Sequence, residues 1–236
     1  MLNSKTLLPL ALFAWLGAAA PAQAQATLDQ RRPQVYAMGV NFGITSYISS
    51  ALACCQHLRS TQMIRGAQDG LTNVTIDLVA INSSAGAPQD FLPFHEVQQL
   101  KTEYSSMASA DDSCLRAVVC AVLGIGGGSA KLSRLFEQLV SLRDGITARF
   151  AKLSKPLTDT YVLGVNVGIA EGHATMGEPG RQVVFSSLMN AKAAAQQLGL
   201  DLSPLDACIT LASGTTPMAE VHQRIISMRA TYQSSL

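Results

Sequence analysis

Four histidines and five cysteines are the residues of this chain with the most chemistry to offer. "CCQH", Cys54 to His57, sets two thiols beside an imidazole. Together with Cys114 or Cys120 it has the donors for a zinc ion, but not the two-residue cysteine spacing of standard zinc modules. Nor does it contain C-x-x-C, the pattern of thiol–disulfide exchange, or C-x-x-C-H, the pattern of haem attachment. His95 in "HEVQQLKTEY" and His222 in "EVHQRIISMRATY" stand at nearly equivalent points of two similar stretches. Two such helices packed about an axis would bring the rings together for a metal or for proton transfer. "HEVQQ" lacks the second histidine of a zinc-protease helix. His57, His95 and His222 are thus the metal candidates, and separate, half-exposed histidines are the plainer reading.

Other chemistry is thin. "GIGGGSAK", Gly124 to Lys131, resembles a phosphate loop only in its glycines, because Ala130 precedes the lysine and Leu132 follows it. A flexible joint between two helices explains it better. Glu171 and His173 fall in "AEGHATMGEPG", where a similar stretch earlier in the chain carries Thr45, Ser46 and Tyr47. No nucleophile elbow, Ser-His-Asp arrangement or carboxylate pair at helical spacing is present. The sequence therefore assigns no catalytic residue and calls for no cofactor.

The cysteines take their meaning from the first residues. Lys5, the apolar stretch Leu7–Leu16 and the small residues of "AAAPAQAQA" form a secretory signal peptide over residues 1–24. Export to the periplasm or beyond permits disulfides. Cys114 and Cys120 are about 9 Å apart along a helix, too far to bridge each other. The economical arrangement ties them to Cys54 and Cys55. Cys208 is left as a free, buried thiol acting as a small apolar side chain.

Lys5 is the single charge of the signal, so 17 basic and 16 acidic residues become 16 of each in the mature chain. This balance argues against nucleic acid or an anionic membrane surface as partner. No later run reaches the roughly 18 apolar residues of a membrane span. Charged residues are 14 % of the chain, below the roughly 25 % usual in soluble domains, and 48 % is hydrophobic. There is ample material for a core.

The elements that must position these residues are announced by a repeated phrase. "YAMGVNFGITSY" begins at Tyr36 and "YVLGVNVGIAEG" at Tyr161, 125 positions later. Ile81, Gly86, Leu100, Lys101 and Tyr104 recur as Ile209, Gly214, Met228, Arg229 and Tyr232 at an offset of 128. A near-constant offset indicates an internal duplication. Gly39/Gly43 and Gly164/Gly168, four apart in apolar stretches, lie on one helix face and mark close helix–helix packing. Asn41 and Asn166 project away from that face.

Each unit reads as four helices. The second ends at Gly70 in the first unit and at Gly199 in the other. The third is "NVTIDLVAI" or "PLDACITLA", the latter opened by Ser203 as cap and Pro204. The fourth holds His95 or His222. Between the units lie "CLRAVVCAVLG" and an amphipathic helix with Leu135, Leu139, Leu142, Ile146, Phe150 and Leu153 on one face. The expected fold is an all-α bundle of two tandem related four-helix units, residues 34–107 and 159–236, joined by a helical hairpin over 108–158. The expected function is that of an exported, non-catalytic protein binding a small ligand or a cell-envelope partner between its units. A metal-dependent or His/Cys-based envelope enzyme is the alternative.

Overall fold

The computed structural model describes residues 28–54, 61–84, 91–111 and 127–236. Among them are eight α-helices and no strand: α1 Arg32–Cys54, α2 Thr61–Asn82, α3 Phe94–Asp111, α4 Gly127–Leu153, α5 Lys155–Ala174, α6 Arg181–Gln197, α7 Ser203–Ser213 and α8 Met218–Ser235. A short 3₁₀ turn, Glu178–Gly180, leads into α6. The signal segment, Cys55, His57, Cys114 and Cys120 lie outside the described residues, as does the first arm of the expected hairpin.

α1 and α5 are apolar on most sides, which suits helices surrounded by others. They form the centre, with α2, α3 and α4 gathered on one side and α6, α7 and α8 on the other. The amphipathic stripe of α4 is buried as its spacing requires: Leu135, Leu139, Ile146 and Phe150 are inaccessible, and Leu142 and Leu153 pack beside them. "NVTIDLVAI" is helical despite its β-branched residues, with Val74, Leu78 and Ile81 turned to the core.

Two expectations need correction. α2 runs unbroken through Gly70, so the second and third expected helices of residues 34–107 are one. Gly70 does not stop the helix; it makes room, since a Cβ there would strike the Thr45 hydroxyl of α1. α5 itself begins at Lys155, with Pro156 in its first turn. And Ser203 does not cap α7: Asp201 Oδ1 accepts the Ser203 backbone N–H at 3.0 Å and its hydroxyl at 2.8 Å. Gly199 does end α6, at φ 67°, with Gly199 N–H donating to Gln196 O and Leu200 N–H to Ala195 O. Those are the two bonds of a Schellman cap.

The contact between α1 and α5 is made through glycine. A Cβ on Gly39 would sit 2.5 Å from Tyr161 O and 2.9 Å from Val165 N, while one on Gly164 would strike Tyr36 O and lie 3.1 Å from Val40 N. Gly43 meets Val165 O and Ile169 N in the same way, and Gly168 meets Val40 O and Ile44 N. Residue numbers rise together along both helices, so the pair is parallel. Every one of these contacts has its counterpart 125 positions away. The large residues beside the glycines cross over: Tyr36, Val40 and Ile44 of α1 pack with the core of α5–α8, and Tyr161, Val165 and Ile169 of α5 pack with the core of α1–α4.

Candidate functional site

Beyond Gly43 and Gly168, residues of α1, α2, α5 and α8 and Thr175 surround a cleft of about 430 Å³. That lies within the usual range for small-molecule sites. Ile44, Tyr47 and Ile48 of α1 and Gln62, Met63 and Gly66 of α2 form one wall. Glu171 and Gly172 of α5, Thr175 just beyond it and His222 of α8 form the other. The first wall is largely apolar, the second polar.

Helical spacing explains both walls. Ile44 and Ile48 are one turn apart on α1, and Met63 and Gly66 one turn apart on α2. Gly66 keeps α2 slim here, since a Cβ on it would meet only Ile48 Cδ1, at 3.5 Å. Gly172 serves another purpose, because a Cβ there would come within 2.6 Å of the Tyr47 ring. The ring meets that of His173 edge to face, at 4.9 Å between centroids. Thr175 Oγ1 lies 2.6 Å from Gly172 O and 3.2 Å from the Tyr47 hydroxyl, closing the end of α5 over that ring.

The polar wall is organised by an ion pair. Arg229 Nη1 donates to both oxygens of Glu171, at 2.7 and 2.8 Å. The Glu171 side chain is only 12 % exposed and that of Arg229 33 %. Burial raises the Glu171 pKa, and the Arg229 guanidinium beside it opposes the rise. Burial also lowers the His173 pKa. Glu171 and His222 both line the cleft, and Glu171 carries with it the charge partner Arg229, which is not itself among the lining residues.

The sequence candidates scatter. His222 lines this cleft, whereas His95 sits at the head of α3 with its ring 5.7 Å from that of Phe94. His57 lies outside the described residues, and among those residues no three of His, Cys, Asp and Glu converge on a point that could hold a metal. Of the disulfide candidates, Cys55, Cys114 and Cys120 are also outside, and Cys54 ends α1. Cys208 is free and buried, and burial pushes its thiol up to about 11. Gly39, Gly43, Gly164 and Gly168 all lie in the α1–α5 contact. Asn41 donates to Asp77 of α2 at 3.2 Å, and Asn166 to Val162 O of its own helix at 2.9 Å.

Sequence reasoning missed the Glu171–Arg229 pair and the α2 wall. One signal was available: His222 and Arg229 are seven apart, hence on one face of α8. A more open cleft of about 590 Å³ lies between α7 and α8, but both its walls come from one half of the chain. No helix among the described residues is long and apolar enough to cross a membrane. No protein family, characterised protein or solved structure matches the chain.

Proposed function

We propose that this is an exported, non-catalytic helical protein built from two related units, and that the cleft where the units meet binds a small ligand or a partner of the cell envelope. The cleft carries this reading. It draws one wall from α1 and α2 and the other from α5 and α8, and it sets an apolar side against one that holds Glu171, the carboxylate of a partly buried ion pair. The reciprocal glycine contacts support common descent of the units, since a self-complementary patch is what two copies of one module would use to pack together.

Gly66 gives the test its control. A side chain there has room at its first atom and then extends into the cleft, so Gly66→Phe fills the site from the α2 wall while the fold is kept. Thermal unfolding of the mature protein is measured with and without cell-envelope extract and a small-molecule library. The expected result is a ligand-dependent rise in Tm that Gly66→Phe abolishes. Stabilisation by nothing, or stabilisation that Gly66→Phe leaves intact, contradicts the proposal.

A further inference from the structure

The lining of the cleft narrows the chemistry of what enters, on the reading that the cleft is a ligand site. Ile44, Ile48 and Met63 offer an apolar face to a hydrocarbon or aryl body. On the other wall stands Glu171, the one Asp, Glu, Lys or Arg among the described residues that line the cleft. Its partner Arg229 is not among them, so the formal charge on the lining itself is negative. An anionic ligand would meet that carboxylate with no lining Lys or Arg to offset the repulsion.

Glu171 can take a further donor. Arg229 reaches its two oxygens through a single nitrogen, Nη1. A carboxylate has about four lone-pair sites, so one nitrogen leaves acceptor capacity on it. The side chain is 12 % exposed, and a charged hydrogen bond gains strength where water is scarce. Burial works against the ionised form and Arg229 works for it; a ligand cation would act in the same sense as Arg229. A primary ammonium has three N–H donors and no acceptor. Besides the carboxylate, the cleft holds two side chains able to accept from it, the Gln62 amide and the His222 imidazole.

We infer that the cleft takes a small amphipathic primary amine, its body on the Ile44–Ile48–Met63 face and its ammonium on Glu171.

Three probes of equal chain length separate the possibilities: octylamine, octanol and octanoate, titrated calorimetrically into the mature wild-type protein and into the Gly66→Phe and Glu171→Gln variants. Glutamine keeps the shape and an oxygen for Arg229 but removes the charge. Octylamine should bind about tenfold or more tighter than octanol, as a charge-assisted hydrogen bond implies, and octanoate more weakly than either. Glu171→Gln should remove most of the octylamine advantage and leave octanol unchanged, and Gly66→Phe should abolish binding. Should Glu171→Gln fail to fold, the ranking of the probes on the wild type decides alone. Octanol or octanoate binding as tightly as octylamine, in a manner that Gly66→Phe abolishes, overturns the amine assignment while leaving the cleft as the ligand site. So does an octylamine preference that is indifferent to Glu171→Gln. Binding that Gly66→Phe leaves intact lies elsewhere and contradicts both readings. If none of the three binds, the amine assignment is overturned, and the wider library then decides on the cleft itself.

Discussion

Asp77 shows how one carboxyl couples this fold to pH. It is partly buried on α2, with the Asn41 amide as its hydrogen-bond partner, and burial raises its pKa from 3.8 to about 6. In the window between those values the folded state holds a proton that the unfolded chain has released. The contribution of this group to stability is therefore complete below about pH 4 and is lost as pH rises through 6. Solvent at this partly exposed site reduces the effect to on the order of 1 kcal/mol. Urea unfolding at pH 4.5 and 7.5 should show wild type losing that much more than Asp77→Asn, which cannot ionise. Glu171 shifts in the same direction, so the difference between the proteins isolates Asp77. An equal pH dependence in both would mean that Asp77 is not the titrating group. None of this was legible in the sequence: Asn41 could be placed off the glycine face, but the acid it meets lies 36 residues further on, in another helix.

At the scale of elements, glycine has two uses here that a sequence cannot tell apart. Gly199 adopts φ 67° and closes α6 with a Schellman cap. Gly70 continues a helix and admits the Thr45 hydroxyl of the neighbouring one. Which use applies depends on what packs alongside, and that information is tertiary. The periodicity of α4 and the Ala-rich run of α6 needed no such information, which is why both helices could be read directly. Gly199→Ala forces an ordinary side chain into the left-handed region and should cost about 1 kcal/mol with unchanged helical content, by urea unfolding and far-ultraviolet circular dichroism. No loss would mean that α6 ends for another reason.

For the whole molecule, the α1–α5 pair decides the architecture. The repeated phrase keeps Tyr, Gly, Val, Gly and Ile at matching positions, and these are the residues that touch across the pair or cross into the opposite core. If the proposed duplication holds, a surface that binds its own copy must preserve the same residues on both sides, which would give the repetition a physical reason. The crossing comes at a cost: the hydroxyls of Tyr36 and Tyr161 are buried without a hydrogen-bond partner among the described residues. Such groups are disfavoured by about 1–3 kcal/mol each, so the packing they take part in must outweigh it. Each core contains side chains from the other half, so neither half is complete by itself. The cleft was not legible because it belongs to this arrangement; Met63, Gly66 and Glu171 form no motif along the chain.

The most direct test is the urea unfolding free energy of Gly39→Ala and Gly164→Ala, the matched positions of the pair, beside Gly145→Ala. A Cβ on Gly145, within α4, would meet nothing within 4 Å. Gly39→Ala and Gly164→Ala should each lose at least about 2 kcal/mol, through backbone collision, in one transition that takes both halves together. Gly145→Ala should gain about 0.5–1 kcal/mol from helix propensity alone. If Gly39→Ala and Gly164→Ala stay within about 0.5 kcal/mol of wild type, or the halves melt separately, the close helix pair at the centre of this molecule is wrong.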